Sequence, residues 1–207
     1  MNNVFKSKII LGSANFEQTY GIKKNTINRK EIKKLFNLAI QNKINTIDTS
    51  SGYNQSEKII GSIGKSNFKI ISKVPKIPKE VTEKNIKKWI KDKAKTSLKN
   101  LKVKKFDYLL LQDSKSLLGR NGDEIYKSIK TIKKLGLTKK IGISIYDFNE
   151  LEKILNKFSF DLVQAPLSIL DQRLLKTGWL SKLKNKKIKV HVRSIFLQGI
   201  LLLKHNQ

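Results

Sequence analysis

The chain has no cysteine and, among its 207 residues, only two histidines and three prolines. Without cysteine it has neither disulfide bonds nor a thiolate metal site, and a cytoplasmic location is the expectation. His191 and His205 have no acidic cluster near them in sequence, so we expect no metal site. No segment approaches the roughly 18 apolar residues of a membrane helix, and the apolar run near the N-terminus is too short for a signal peptide.

Negative charge is also scarce, and the formal net charge is +28. Such an excess is typical of nucleic-acid-binding proteins. Yet only 4 of the 44 basic residues are arginine, the usual base-reading residue, and the lysines are spread along the whole chain. We interpret the charge mainly as a compositional bias on exposed helix faces. Nucleic acid is therefore not the predicted partner, although a basic interaction surface stays open as an alternative.

Short apolar segments alternate with longer segments of helical period. Most of these short segments are almost continuously apolar, as is typical of parallel strands buried on both faces. The seven predicted strands are residues 8–12, 45–49, 68–74, 107–111, 140–145, 161–167 and 188–196.

Helix start signals lie between most of these strands. Asn28 followed by Glu31 predicts a capping box, and Gly136 predicts a helix end. Four further polar residues mark or precede predicted helices: Thr82, Asp123, Asp147 and Asp171.

This alternation predicts an α/β fold with a parallel sheet. The first strand leads into GSANFEQTYG, which lacks the G-x-G-x-x-G pattern of a dinucleotide-binding sheet. The absence favours a β/α barrel, which typically needs about 250 residues. We therefore expect one domain, residues 1–207, forming an incomplete barrel of about seven β/α units, truncated before the eighth. Its two open sheet edges predict a tendency to self-associate.

Polar side chains at the carboxyl ends of barrel strands form the active site in proteins of this architecture. Asp48, Tyr53 and Lys73 follow or end the second and third predicted strands. A lysine beside a tyrosine lowers the pKa of the phenol, and a carboxylate holds the lysine in place. The three side chains could thus form a proton donor for a carbonyl. Each residue taken singly is more often structural, as a turn cap or a surface group, and that alternative stays open.

Six segments in register resemble the aldo/keto reductase family. They are LGSANFEQTYGI, NTIDTSSGYNQSEKIIG, IISKV, KIGISIYD, DLVQAPLSILDQRLL and VRSIFLQGILL. The resemblance covers nearly the whole chain and implies a TIM barrel that reduces aldehydes or ketones, here a sugar-like substrate, with NADPH or NADH.

The resemblance also implies roles for residues of this chain. Tyr53 matches the proton donor, Lys73 the residue that tunes it, and Asp48 the residue that holds the lysine. Gln112 stands at the end of the fourth strand, where the family has histidine. Glutamine still donates a hydrogen bond but does not titrate. The implied cofactor contacts are Gly12, Ser13, Ala14, Ser144, Gln164, Arg193 and Ser194.

Arg193 stands where the family often has a tyrosine that stacks on the nicotinamide, and a guanidinium plane can stack in its place. Three functions remain open. The first is an NAD(P)H-dependent carbonyl reductase. The second is an inactive barrel remnant acting as a binding or scaffold protein, and the third is a basic nucleic-acid-binding protein.

Overall fold

The computed structural model describes residues 8–16, 26–64 and 68–203. Its strands form one parallel sheet in which each strand pairs with its neighbours in chain order. The strands are β1 (Leu11–Gly12), β2 (Thr46–Asp48), β3 (Lys69–Val74), β4 (Phe106–Leu111), β5 (Thr138–Ser144), β6 (Leu162–Pro166) and β7 (Lys189–Arg193). The sheet curls into a partial barrel, so the predicted incomplete TIM barrel of seven β/α units is confirmed.

Helices connect successive strands of the sheet. They are α1 (Arg29–Gln41), α2 (Ser56–Ile63), α3 (Glu83–Leu101), α4 (Gly122–Lys134), α5 (Phe148–Lys157), α6 (Arg173–Lys176) and α7 (Trp179–Asn185). Two 3₁₀ helices lie at Ser114–Leu118 and Leu197–Leu202. In the described part of the chain, no helix is both long and apolar enough to span a membrane.

Several helix boundaries follow from the sequence signals. Asn28 and Glu31 form the predicted capping box at the start of α1, and Asp147 caps α5 by accepting from the Asn149 backbone. Gly136 takes the positive φ of 71° that ends α4. Helix α2 was not predicted, because its eight residues span little more than two turns and its apolar pattern is correspondingly short.

The first and seventh predicted strands exceed the observed ones the most, by three and four residues. The first keeps only Leu11 and Gly12. The seventh ends at Arg193 because Ser194 adopts a φ of 60°, which breaks the extended backbone and turns the chain toward the second 3₁₀ helix. Arg193 and Ser194 therefore lie at the carboxyl end of the sheet.

The main core lies between the outer face of the sheet and the helices, and a second, smaller cluster lies inside the curl. The inner cluster consists of Ile71, Leu110 and Leu162, with Ile10 and Tyr108 packed against it. Burial of these residues closes the centre of the curl, so the space for a ligand lies at the carboxyl ends of the strands. Among the described residues β1 and β7 each pair on one side only; self-association through these edges stays a prediction.

Candidate active site

A cavity of about 740 Å³ opens at the carboxyl ends of β1, β2, β6 and β7. This volume is typical of a small-molecule or cofactor site. Eight of the predicted site residues line it: Gly12, Ser13, Ala14, Asp48, Tyr53, Gln164, Arg193 and Ser194. The other three, Lys73, Gln112 and Ser144, do not line this cavity, although Lys73 and Ser144 directly adjoin residues that do.

Lys73 forms an ion pair with Asp48, one of the residues that line the cavity. The Lys73 ammonium donates to both carboxylate oxygens of Asp48, at 2.8 and 2.7 Å, and to the Thr49 carbonyl at 2.9 Å. Lys73 is buried, with 3% of its surface exposed. The Gln164 amide donates to the same carboxylate at 3.2 Å. Asp48 is therefore held from two sides, by β3 and by β6.

Tyr53 lies in the turn after β2, where its backbone N–H donates to the Ser50 carbonyl at 3.0 Å. The Lys73 ammonium is 5.2 Å from the centre of the Tyr53 ring. Burial, and next the negative charge of Asp48, raise the pKa of Tyr53 to about 12. Lys73 is not among the groups that lower this pKa, and its ammonium is paired with Asp48. Its tuning of Tyr53 stays a prediction.

Gln112 is oriented by a hydrogen bond from β2. The Ser50 hydroxyl donates to its Oε1 at 2.7 Å, and Ser50 in turn accepts from the Gly52 backbone at 3.0 Å. A Cβ on Gly52 would stand only 3.4 Å from Oε1, so the turn packs closely on the amide. Because Oε1 is already engaged, the Nε2 group is the part of this side chain that remains to donate to a ligand.

Gln164 and Ser144 are partners in the register of β5 and β6. Both side chains are buried, with 3% and 4% of their surfaces exposed. The Oε1 atom of Gln164 is buried and has no hydrogen-bond partner within the described ranges. A buried carbonyl oxygen without a donor is costly, so a ligand in the cavity that offers an N–H or O–H group fits this position.

Arg193 packs its guanidinium on the ring of Tyr146, 3.9 Å from the ring centre. It donates to the Ile145 carbonyl at 2.8 Å and to the Ser194 hydroxyl at 3.3 Å. Tyr146 also lines the cavity, and 64% of its surface is exposed. The sequence analysis gave Tyr146 no role; its position directly after the fifth predicted strand, residues 140–145, was the available signal.

His191 is a second cavity residue to which sequence reasoning gave no role. It lies on the seventh predicted strand, and from β7 it packs its ring edge-on against Tyr108 inside the curl, at 5.7 Å between the ring centres. Its Nδ1 is buried without a partner among the residues the structure describes. Burial, and next the positive charge of Lys189, lower the pKa of His191 to about 4. The imidazole on the cavity wall is therefore neutral near pH 7.

Glu57 lies on the other side of β3, between the strand and the helices. Its carboxylate accepts from the Ser72 hydroxyl at 2.7 Å and from the Ser97 hydroxyl. Burial raises the pKa of Glu57, and these two hydrogen bonds oppose the shift. Glu57 thus ties α2 and α3 to the strand that carries Lys73.

The remaining chemistry of the described region is limited. Within residues 8–16, 26–64 and 68–203, no group of three or more histidine, aspartate or glutamate residues is placed to hold a metal ion. Open space surrounds the position that a Cβ on Gly12 would occupy. The residues present fit a nicotinamide cofactor, since the cavity is large enough and Gln164 offers a free acceptor.

The comparisons with known proteins agree with this geometry. The model of the Aldo/keto reductase family matches residues 8–207, whereas no curated protein matches the chain. The fold is similar to that of an aldo-keto reductase from Bacillus halodurans in its holo form, at 20% identity and a TM-score of 0.76, covering 97% of this chain and 67% of that chain.

Two further solved structures are similar at 16% identity. An aldo/keto reductase from Klebsiella pneumoniae, in complex with NADP and acetate, has a TM-score of 0.71 over 92% of this chain and 65% of that chain. A glycerol dehydrogenase from Gluconobacter oxydans has a TM-score of 0.73 over 97% of this chain and 64% of that chain. The chain spans about two thirds of the length of these structures. Its fold, and the family match over nearly its whole length, show that the chain belongs to the aldo/keto reductase family.

Proposed function

We propose that the chain is an NAD(P)H-dependent reductase of aldehydes or ketones, with Tyr53 as the proton donor. The observation that carries the proposal is that Asp48 and Tyr53 line one cavity, with Lys73 paired to Asp48 behind its wall. The same wall holds the Oε1 of Gln164, which has no partner among the described residues. A proton donor, an ion pair that fixes it and a free acceptor for a carboxamide are the parts that this chemistry needs.

The cofactor is held by residues from four strand ends. Gln164 would accept from the carboxamide of the nicotinamide, and Ser144 lies beside Gln164 in register. Gly12, Ser13 and Ala14 form the wall on the β1 side, where Gly12 leaves room for the ring. Arg193 and Ser194 form the opposite wall. The bound cofactor supplies the hydride that reduces the carbonyl carbon.

Tyr53 supplies the proton. Its raised pKa keeps the phenol protonated at neutral pH. A carbonyl oxygen gains negative charge as hydride arrives, and the resulting alkoxide is about as basic as hydroxide, hence a much stronger base than a phenolate. Proton transfer from a phenol with a pKa of about 12 therefore still runs downhill. The Asp48–Lys73 pair keeps the local charge near zero while the proton moves.

In this proposal Gln112, which does not titrate, lies beside the carbonyl of the substrate. With its oxygen held by Ser50, its Nε2 donates to the substrate oxygen. An amide orients and polarises a carbonyl without giving up a proton. The proton then comes from Tyr53 alone. We expect slower turnover than with a charged donor at this position.

A hydroxylated, sugar-like substrate is part of the proposal. Besides the catalytic groups, the cavity wall carries neutral hydrogen-bonding side chains, among them Asn15, His191 and Gln198. Such groups bind hydroxyls without a charge penalty. The similar structure from Gluconobacter oxydans is a glycerol dehydrogenase, which supports a polyol-type substrate for this site.

The test is a fluorescence titration of the purified chain with NADPH and with NADH. We expect saturable binding of at least one cofactor. Replacing Gln164 with leucine removes the free acceptor and should weaken that binding about tenfold. Leu180→Ala on α7, away from the cavity, is the control and should leave the affinity unchanged.

Absence of saturable binding to a chain shown to be folded by circular dichroism would overturn the proposal. It would favour the inactive-remnant alternative. Binding without any carbonyl turnover would separate a cofactor-binding protein from a reductase.

A further inference from the structure

Arg193 is a cation on the cavity wall that forms no ion pair with any residue the structure describes. Six other basic residues in the described ranges form ion pairs, including Lys73 with Asp48 and Arg173 with Asp171. Among the described residues, the groups in contact with Arg193 are neutral: the Ile145 carbonyl, the Ser194 hydroxyl and the Tyr146 ring. The nearest carboxylate that interacts with its charge is Asp171, which is itself paired with Arg173.

The hydrogen-bonding capacity of Arg193 is also largely unused. A guanidinium carries five N–H donors, and two hydrogen bonds engage two of them. The Nε atom is buried and has no partner within the part of the chain that the structure describes. A buried N–H of a charged group without an acceptor is unfavourable, so an acceptor with negative charge fits this position.

The guanidinium is fixed rather than free to turn toward solvent. Stacking on Tyr146 holds one face of its plane at 3.9 Å, and the bond to Ile145 holds one edge at 2.8 Å. An arginine held in this way binds an anion with little further loss of side-chain freedom. The positive φ of Ser194 turns the backbone away from β7. Arg193 is therefore the last residue of the strand and lies at the carboxyl end of the sheet.

Arg193 also lies close to the proposed chemistry. Both Arg193 and Tyr53 line the same cavity, and the positive charge of Arg193 slightly opposes the rise in the pKa of Tyr53. A substrate whose carbonyl meets the Tyr53 hydroxyl would therefore occupy the cavity that Arg193 also lines.

The charge balance of the cavity favours an anion. Asp48 is the carboxylate on its wall, and Lys73 neutralises it. Arg193 therefore leaves the described lining with a net positive charge. The chain as a whole, at +28, attracts anions from solution and increases their rate of arrival at such a site.

We propose that Arg193 binds an oxyanion carried by the carbonyl substrate, a carboxylate or phosphate, and so selects anionic carbonyl compounds. This inference rests on the proposed reductase function. It is compatible with a cofactor contact at the same residue, because an aromatic ring stacks on the face of a guanidinium whereas an anion binds at its N–H edge.

The test compares two substrates with the same aldehyde, para-carboxybenzaldehyde and its uncharged methyl ester, in the presence of saturating cofactor. We expect kcat/KM to favour the anion by about 10-fold or more. In Arg193→Gln the ratio should fall close to one, and Arg193→Lys should keep part of the preference. Lys189→Gln removes the same charge at the far end of β7 and should leave the ratio unchanged.

The ratio separates the two roles of Arg193. A cofactor-only role would lower turnover of both aldehydes equally, so weaker NADPH binding by Arg193→Gln with an unchanged ratio would overturn the inference. A ratio near one in the unmodified protein would overturn it as well.

A binding measurement keeps the inference testable if the proposed function fails. Where neither aldehyde turns over, calorimetric titration with para-(hydroxymethyl)benzoate and with its methyl ester replaces kinetics. Selective binding of the anion, lost in Arg193→Gln and kept in Lys189→Gln, would support the anion site without reductase activity. Equal or absent binding of the two compounds would overturn it.

Discussion

The Lys73 ammonium donates to both carboxylate oxygens of Asp48, at 2.8 and 2.7 Å. This pairing decides how the lysine acts on the neighbouring phenol. A free ammonium 5.2 Å from the ring centre of Tyr53 would stabilise the phenolate. The ammonium is instead paired with Asp48, and burial together with the charge of Asp48 raises the pKa of Tyr53, so the phenol stays protonated at neutral pH.

Replacing Asp48 with asparagine should lower the pKa of Tyr53. The substitution removes the second-largest cause of the raised pKa and frees the charge of Lys73. Ultraviolet titration between about pH 8 and 11 should then show one more ionising tyrosine than the unmodified chain. The same titration in an Asp48→Asn, Tyr53→Phe background identifies the group.

The same substitution should destabilise the fold by on the order of 3 kcal/mol, because it leaves a buried ammonium without its carboxylate. Urea denaturation near pH 7 measures that loss. An unchanged number of titrating tyrosines in a folded Asp48→Asn protein would show that Asp48 does not control Tyr53.

Glu57 gives a prediction about stability and pH. Burial raises the pKa of Glu57, so the folded state favours the protonated form. The free energy of unfolding should therefore fall as pH rises from about 4.5 through the folded pKa of this carboxyl. In Glu57→Gln that part of the decrease should vanish, and the protein should be more stable than the unmodified chain near pH 8.

Urea denaturation across this pH range measures the difference. Glu83→Gln, at the exposed first turn of α3, is the matched control and should leave the slope unchanged. A parallel pH dependence for Glu57→Gln and the unmodified protein would contradict the assignment of this buried charge.

His191 should contribute a pH dependence of the opposite sign. Its pKa is lowered to about 4 in the folded protein, so between there and about 6.5 the unfolded chain binds more protons. The contribution of neutral His191 to the free energy of unfolding is fully present above about pH 6.5. It is lost as the pH falls toward 4, by up to about 3 kcal/mol. His191→Gln should flatten that part of the stability profile; an unaltered acid slope would show that the imidazole is solvated.

Replacing Gln112 with histidine tests the position beside the carbonyl. A histidine imidazole donates a stronger hydrogen bond than an amide. Unlike the amide, it also titrates near neutral pH. If Gln112 faces the substrate oxygen, the substitution should raise kcat several-fold and introduce a pH dependence between about pH 6 and 8. Leu118→His, in the exposed part of the first 3₁₀ helix, is a control that should change neither quantity. A fall in kcat, or no pH dependence, would count against this position for Gln112.

The strand ends show which parts of the site could be predicted from sequence. Asp48 ends β2 and Lys73 lies one residue before the end of β3. The carboxyl ends of neighbouring parallel strands meet at one edge, so the sequence could predict that the two side chains lie close together, as they do. The stacking of Arg193 on Tyr146 did not follow, because it joins β7 to the turn after β5 across a strand between them. The low pKa of His191 could not be predicted from the sequence either, because it depends on burial, and burial depends on which side chains pack inside the curl.

The central claim is that Tyr53 donates the proton. Turnover of a carbonyl compound and cofactor affinity should be measured side by side for the unmodified chain and for Tyr53→Phe, which keeps the ring and removes only the hydroxyl. The account predicts that kcat falls by at least about 100-fold while the dissociation constant of the cofactor changes less than about threefold. Turnover by Tyr53→Phe at the unmodified rate would contradict the account, because the proton would then come from another group.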